Sequence, residues 1–205
     1  SLFSFNNPRG ACPACNGFGA VLEYDEALIV PDPGRSLARG AIDPWTKPRY
    51  EGRRRLLRET ARGRRIPVDE PWRDLPDDAR EFLLHGQAGR YLGIFPFLRR
   101  LEAKRYKQYI RVFLRQYQMA RTCPQCDGAR LKAEALAVRV GGLTIAAASA
   151  LTAAQLVDWT ADLALTDFQR AVAVHVLDEL IARLTFLTDV GLGYLTLDRQ
   201  TRTLS

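Results

Sequence analysis

Two matching turns, set far apart, constrain this chain more than any other feature. Cys12 and Cys15 lie in the sequence CPACNG, and Cys123 and Cys126 lie in CPQCDG. In a CPxCxG turn both thiols point the same way, and the glycine lets backbone N–H groups turn toward the sulfurs. Two CxxC pairs supply the ligands of a closed, tetrahedral, all-thiolate zinc site. The pattern therefore predicts one Zn²⁺ site that uses all 4 cysteines of the chain.

The alternatives are unrelated thiols or two disulfides. The near-identity of the two turns disfavours scattered thiols. No apolar run is long enough to span a bilayer, and the first residues, SLFSF, do not resemble a signal peptide. We therefore expect a cytoplasmic protein without a membrane partner. In that compartment paired cysteines bind metal more often than each other.

The distance between the turns predicts an inserted subdomain. Residues 16–122 separate the two CxxC pairs, whereas the ligand pairs of a finger or ribbon are about 12 to 20 residues apart. The insertion must begin and end at nearly the same place. We predict an α+β, mainly helical fold in three segments: 1–45 with the first cysteine turn and short strands, 46–122 as a basic helical insertion, and 123–205 with the second turn, a hairpin and helices.

The positive charge is concentrated in the predicted insertion. The chain has a formal net charge of +7, but residues 46–122 alone carry 20 Lys and Arg against 9 Asp and Glu. Such an imbalance usually indicates an anionic partner, and nucleic acid is the commonest for a soluble protein. A merely solvated cationic surface is the alternative.

Local patterns predict the remaining elements. Alternating apolar residues predict strands, and capping residues followed by apolar helical periodicity predict helices. The predicted strands are 20–24, 27–30 and a hairpin of 135–140 with 143–146, and the predicted helices are 50–62, 77–85, 96–119, 152–161 and 166–187. In the last helix an apolar face is expected to be core, and it consists of Val172, Val176, Leu180, Leu184 and Leu187.

The helix predicted over 96–119 has a cationic stripe. Leu98, Leu101, Tyr106, Tyr109, Val112, Phe113 and Tyr117 form its apolar face. The stripe opposite consists of Arg100, Lys104, Lys107, Arg111 and Arg115, at spacings typical of one helix face. A solvated face usually mixes charges of both signs, because like charges four residues apart repel. We therefore expect this stripe to contact DNA phosphates, with salt-sensitive and sequence-independent affinity.

Further cations are candidate DNA contacts. Three lie on the helix predicted over 50–62, and two follow the second cysteine turn: Arg53, Arg54, Arg58, Arg130 and Lys132. A catalytic site is not indicated. His85 and His175 fall within apolar helical patterns, so we interpret them as structural. No GxxxxGK[ST] phosphate loop is present, and the chain as given should not hydrolyse ATP alone.

Four collinear blocks of the sequence resemble UvrA. UvrA is the damage-recognition ATPase of bacterial nucleotide excision repair and a member of the ABC ATPase superfamily. The last block is similar to the segment that leads into the UvrA signature LSGGE, of which this chain has Leu204 and Ser205. The blocks are residues 3–15, residues 123–131 with Glu134, residues 183–187, and residues 189–199 with 203–205.

The resemblance implies a fragment of the N-terminal half of UvrA, with a signature-side subdomain, a zinc module and an insertion domain. It implies an intact protein that dimerises, binds and hydrolyses ATP with Mg²⁺, recognises damaged duplex DNA and loads UvrB within the excision nuclease system. The phosphate-binding loop would precede Ser1. Ser205 would inherit the role of the signature serine, which contacts the nucleotide in the opposite site.

Three alternatives stay open at the level of sequence. Many UvrA proteins carry a further CxxC upstream, which could pair with Cys12 and Cys15 instead. A UvrA-like ABC protein of drug resistance or export would share these blocks. A zinc module like that of the J-domain chaperones would share the CxxCxGxG form of the first turn.

Overall fold

A computed structural model describes residues 2–87 and 89–199. The chain forms two compact units. We call Leu22–Arg121 the inserted unit, and Ser1–Val21 together with Thr122–Ser205 the flanking unit. Residues 22–45 belong to the inserted unit because Ile29, Leu37 and Trp45 are buried in the same core as the residues that follow them.

The inserted unit is mainly helical. It contains the pair of β2 with β3, which is antiparallel with Gly86 opposite Leu92, and most of the pair of β1 with β4, of which Ala20, Val21 and Thr122 belong to the flanking unit. Short 3₁₀ turns cover Asp43–Thr46, Pro48–Tyr50 and Trp72–Asp74. The elements are β1 Ala20–Tyr24, α1 Glu26–Ile29, α2 Glu51–Gly63, α3 Asp77–His85, β2 Gly86–Gln87, β3 Tyr91–Leu92, α4 Ile94–Glu102, α5 Gln108–Arg115 and β4 Gln118–Thr122.

The flanking unit holds the cysteine turns and a set of helices. Its elements are α6 Ala133–Leu136, β5 Arg139–Val140, β6 Leu143–Thr144, α7 Ile145–Ala150, α8 Ala153–Ala161 and α9 Asp167–Asp189. Strands β5 and β6 pair as an antiparallel hairpin. No helix among residues 2–87 and 89–199 combines the length and the hydropathy needed to cross a bilayer.

Aromatic packing organises the core of the inserted unit. Trp45 is 1% exposed, and its ring lies edge-on to Tyr91 at 6.2 Å and to Phe97 at 5.9 Å between centroids. Edge-to-face contacts of this kind add to the free energy gained from burying apolar surface. Helices α2 and α3 contribute Leu57 and Leu83 to the same core.

The single helix predicted over 96–119 is wrong. Helix α4 ends at Glu102, residues 103–107 form a turn, and α5 begins at Gln108. On one continuous helix Leu98 and Leu114 would point about 160° apart, because each residue adds about 100°. The turn lets both face the core, where they are 0% and 3% exposed. Repulsion along the cationic stripe also disfavours one long helix.

Two strand predictions are also wrong. Residues 27–30 lie mostly in α1, since the Asp25 side chain accepts a hydrogen bond from the Ala27 N–H at 2.8 Å and caps a helical turn. In the segment 135–140 a helical turn, α6, precedes the two-residue strand β5 and buries Ala135 completely.

The capped helices of the flanking unit confirm the prediction. Thr152 and Thr166 each accept a hydrogen bond from the N–H of a glutamine three residues on, whose side chain accepts from the threonine N–H. These capping boxes satisfy backbone donors that would otherwise have no partner at the first turn. They start α8 and α9 at the predicted residues.

The predicted core face of α9 is only half correct. Leu184 is 2% exposed, and Leu180 and Leu187 pack around it with α8. Val172 and Val176 are each 69% exposed, so their assignment to the core is wrong. Helix α8 has 9 residues and α9 has 23, so α8 can cover only part of α9. The covered part is the C-terminal half, which contains Leu180, Leu184 and Leu187.

Candidate metal centre and cationic surface

The four cysteines meet in the flanking unit. All four Sγ atoms lie within 4.8 Å of one another, with Cys12 and Cys123 at 3.9 Å and Cys15 and Cys126 at 3.7 Å. A tetrahedral ion with Zn–S bonds of about 2.3 Å needs sulfurs roughly 3.8 Å apart, whereas a disulfide needs about 2.05 Å. The four thiols are free and at least 95% buried. This set could hold one metal ion.

Both turns use the same backbone conformation. Asn16 and Gly17 have φ of 51° and 81°, and Asp127 and Gly128 have φ of 47° and 81°. Consecutive left-handed residues are costly unless glycine or a short polar residue occupies them. The turn aims the Gly19 N–H at the Cys15 Sγ, 3.3 Å away, as in the second coordination layer of a thiolate metal site.

Backbone hydrogen bonds join each turn to the segment that carries the other. The Cys123 N–H donates to the Gly19 carbonyl at 3.0 Å, and the Cys12 N–H donates to the Arg130 carbonyl at 2.8 Å. An isolated bridge pairs Ala11 with Leu131. The segments that lead into and out of the inserted unit are therefore held side by side at the cysteines.

Two thiols of this centre, Cys123 and Cys126, have pKa values that are shifted in opposite directions. Burial raises the pKa of a thiol, but N–H groups of Cys126 and Gln125 directed at Cys123 outweigh burial and lower its pKa to about 7. Burial raises the pKa of Cys126 to about 12, and the neighbouring thiols add to the rise. A bound metal ion would favour the deprotonated form of both thiols, because thiolates are the ligating form.

The residues of the cationic stripe are exposed but do not share one helix. Arg100 lies on α4, Lys104 and Lys107 lie in the turn 103–107, and Arg111 and Arg115 lie on α5. Within residues 2–87 and 89–199, the side chains of Lys104, Lys107 and Arg111 have no carboxylate oxygen within 4.0 Å. The Arg115 guanidinium donates to the Gln118 carbonyl at 2.8 Å.

The three candidate arginines on α2, which are Arg53, Arg54 and Arg58, are half-buried and contact residues of their own unit. Arg54 donates from Nη2 to the Ala38 carbonyl at 3.0 Å, and Arg58 donates to the same oxygen. The Nε atoms of both are buried without a partner in the described residues. Arg53 lies with its Cζ 5.4 Å from the Phe97 ring centroid. Through these hydrogen bonds Arg54 and Arg58 connect α2 to the loop that contains Ala38.

The remaining candidates lie in the flanking unit. The guanidinium of Arg130 lies 5.3 Å from the Phe5 ring centroid and donates to the Asp198 carbonyl at 3.0 Å. Lys132 is half-buried, and its N–H donates to the Gly10 carbonyl at 2.9 Å. Both therefore sit beside the cysteine centre. Ser205, the expected nucleotide contact, lies outside the described residues.

Exposed tyrosines are the feature that sequence reasoning missed. Tyr106 and Tyr109 are 74% and 47% exposed, although helical periodicity assigned both to an apolar face. The signal that could have found them is the sequence KRYK over 104–107, where cations on both sides of Tyr106 oppose burial.

The chain resembles known proteins over its whole length. The family model described as the UvrA DNA-binding domain matches residues 25–113. These residues are therefore similar to the UvrA DNA-binding domain. It is 39% identical to the UvrABC system protein A of Thermus thermophilus and 36% identical to that of Methanothermobacter thermautotrophicus. Both matches cover 100% of this chain, which spans about a quarter of either UvrA relative, 24% and 23%.

The fold agrees with that of a solved UvrA structure. The crystal structure of UvrA2 from Deinococcus radiodurans superposes with a TM-score of 0.59 at 28% sequence identity. The match covers 100% of this chain and 30% of that one. The mainly helical architecture predicted from the sequence is thus that of a UvrA segment.

Proposed function

We propose that this chain is the part of a UvrA protein that contacts duplex DNA. The observation that carries the proposal is a charge imbalance in the segment from α4 to β4. Residues 99–121 contain eight Lys and Arg but a single carboxylate, Glu102. That carboxylate accepts a hydrogen bond from the Tyr24 hydroxyl at 2.7 Å. Arg121 pairs with Glu23 and Asp25, but the other seven cations have no carboxylate oxygen within 4.0 Å in residues 2–87 and 89–199. This surplus of positive charge makes a polyanion a favourable partner.

The proposed contacts are to phosphates rather than to bases. Arg100, Lys104, Lys107, Arg111 and Arg115 are all exposed, and each neutralised phosphate would release condensed counterions. Such contacts fix the position of the protein on the duplex without reading its sequence. We assign Arg54 and Arg58 a structural role instead, since their guanidinium groups donate to Ala38.

We further propose that the four cysteines bind Zn²⁺. The support is the spacing of the sulfurs and the all-thiolate donor set, since four protein ligands are the number that a structural zinc site uses. Such an ion would supply folding free energy and no catalysis. Its effect would be to hold together the two segments that lead into and out of the inserted unit.

In the longer protein we propose a role in nucleotide excision repair. The UvrA relatives are named as components of the UvrABC system. By that likeness the intact protein would be cytoplasmic, recognise damaged DNA, use ATP and Mg²⁺, pair with a second UvrA and load UvrB. Ser205 would act there as the signature serine. The sequence given lacks a phosphate loop, so we assign it a binding role.

Duplex binding as a function of salt tests the proposal. We expect log Kd to rise linearly with log salt, with a slope of about 0.9 for each phosphate contact. The triple variant K104E/K107E/R111E should lose at least about tenfold in affinity, and its slope should fall by about 3. The matched control is R9E/R139E/R170E, which makes the same change in net charge at exposed residues of the flanking unit.

Two outcomes would contradict this assignment. A salt slope near zero for the unaltered chain would exclude phosphate contact as the source of affinity. Equal losses in the two triple variants would mean that net charge, and not this surface, determines binding. In the second case Arg130 and Lys132 would be the next residues to change.

A further inference from the structure

The turn between α4 and α5 presents an aromatic side chain among cations. Tyr106 is 74% exposed and lies between Arg105 and Lys107, with Lys104 two residues before it. The Lys107 Nζ lies 5.7 Å from the Tyr106 ring centroid. In the part of the chain that the structure describes, the Tyr106 hydroxyl makes no hydrogen bond. Among the described residues, Lys107 alone makes an aromatic or cation–π contact with this ring.

The exposed apolar surface continues onto α5. Tyr109 is 47% exposed and Val112 is 54% exposed. Tyr109 is held from one side by Arg49, whose Nη2 donates to the tyrosine hydroxyl at 3.1 Å and whose Cζ lies 4.6 Å from the ring centroid. Tyr109 and Val112 are three residues apart and share one face of α5, and exposed apolar patches commonly mark binding sites. Here the patch is surrounded by positive charge.

We propose that Tyr106 stacks on an unpaired or unstacked base of DNA, while Lys104, Arg105 and Lys107 hold the phosphates on either side. This inference rests on the proposed function, and it adds one residue of the inserted unit that would discriminate between intact and distorted duplexes. The charge complementarity of the turn favours a nucleic acid over an apolar protein partner.

The physical basis is the difference in cost between intact and distorted duplexes. An aromatic side chain can stack on any base, because every base has a π face. In an intact duplex the base must first be unstacked from its neighbours, which requires free energy. At a mismatch or lesion the base is already partly unstacked, so less free energy is required. A stacking tyrosine would thus give a preference for distorted DNA without recognising any one chemical lesion.

The test compares two duplexes and four forms of the chain. One duplex of about 30 base pairs is fully paired, and the other contains a two-base mismatched bubble. Affinities are measured at one salt concentration for the unaltered chain, Y106A, Y106F and F168A. Y106F keeps the ring, and F168A removes an aromatic ring of matching exposure, 77%, from α9 in the flanking unit.

We expect Y106A to bind the bubble duplex about 5- to 150-fold more weakly, the range that base–aromatic stacking corresponds to. Its affinity for the paired duplex should change by less than about twofold, and Y106F and F168A should match the unaltered chain on both. A 5-iodouracil placed in the bubble should photocrosslink to Tyr106, which peptide mass spectrometry would identify.

Failure of this inference can be told apart from failure of the proposed function. If the unaltered chain binds both duplexes but Y106A weakens neither, or weakens both equally, the stacking role is wrong and DNA binding stands. If F168A loses as much affinity for the bubble duplex as Y106A does, the stacking role of Tyr106 is likewise wrong. If the unaltered chain binds neither duplex, the proposed function and this inference both fall.

Discussion

At the scale of single residues, Asp43 shows how one carboxylate ties separate elements together. Its Oδ2 accepts hydrogen bonds from the Tyr117 hydroxyl and the Lys47 ammonium, at 2.7 and 2.9 Å. Partial burial raises the pKa of Asp43, but Lys47 and Tyr117 outweigh burial and lower it below its ordinary value. The same contact, together with burial, raises the pKa of Tyr117. The group therefore stabilises the fold in its ionised form.

Asp43→Asn should lower the free energy of unfolding at pH 7 by about 1–3 kcal/mol, since it weakens hydrogen bonds to a charged acceptor. A folded-state pKa below the unfolded one gives stability that is present above the unfolded pKa, about 3.9. The difference between D43N and the unaltered chain should hold above about pH 4 and shrink as pH falls through the folded pKa.

Urea unfolding from pH 7 to pH 3 measures that difference. Metal loss at low pH affects both proteins alike and cancels in the comparison. Asp69→Asn, at an exposed carboxylate, is the control and should change stability by less than about 0.5 kcal/mol. A D43N difference that stays constant down to pH 3 would show that ionisation of Asp43 is not its cause.

Gly17 tests the geometry of the first cysteine turn. Its φ is +81°, and a Cβ there would lie 2.0 Å from the Phe5 carbonyl oxygen. Gly142 has φ +79° but has open space around the Cβ position. Both alanine variants incur the strain of the left-handed region, about 1–2 kcal/mol, and only Gly17→Ala adds a backbone clash.

We therefore expect G17A to lower both metal affinity and melting temperature, and G142A to lower melting temperature slightly while leaving metal affinity unchanged. Competition with a colorimetric chelator measures the first quantity, and thermal unfolding followed by circular dichroism measures the second. Equal metal affinity in the two variants would mean that the turn tolerates displacement of Phe5.

At the scale of elements, the turn between α4 and α5 decides which side chains are core. Helical periodicity groups Val112 with the core, but the turn rotates α5 so that Leu114 is buried and Val112 is 54% exposed. Helix α9 shows the same effect, since α8 packs only near Leu184 and leaves Val172 exposed. In both cases the neighbouring element selects the buried face.

Leu114→Ala should destabilise the chain by about 2–5 kcal/mol, because it leaves a cavity among buried side chains. Val112→Ala should cost less than about 1 kcal/mol, because its side chain is largely in water. Chemical denaturation of both variants measures these values. A larger cost for V112A than for L114A would favour the single long helix.

At the scale of the whole molecule, the cysteine centre closes a loop of about 107 residues. Closing a long loop removes conformational freedom from the unfolded chain, so a metal clip at its ends favours the folded state. The backbone bonds from Cys12 and Cys123 already place the segments side by side. A bound ion would further stabilise the side-by-side arrangement of these two segments.

We expect one zinc ion per chain by elemental analysis. Cys123→Ser should reduce occupancy to well below one and make the chain more sensitive to limited proteolysis. Gln125→Ala removes a side chain of the second turn that lies 3.8 Å from the Cys12 Sγ but is not a ligand, and it keeps the backbone N–H, so this variant should keep full occupancy. Affinity should fall as pH is lowered, since the ligating thiolates become protonated. Full zinc occupancy in C123S would refute the pairing of the two turns.

Features that depend on residues close together along the chain could be predicted before the fold was known. The four-cysteine centre followed from two CPxCxG turns, the starts of α8 and α9 followed from capping threonines, and the basic insertion followed from a count of charges. A helix cap or a pair of metal ligands involves only a few consecutive residues, and a charge imbalance follows from composition. These features can therefore be predicted without knowing how the chain packs.

Which helix faces are buried could not be predicted in this way, because burial depends on tertiary packing. In the fold, the segment predicted as one helix over 96–119 forms two helices, and residues 22–45 belong to the inserted unit. The side chains of Val176 and Tyr106 are exposed to solvent. Periodicity shows that a helix has an apolar face, but burial depends on the length and position of whatever packs against it. That information lies in residues distant along the chain, and folding alone brings them together.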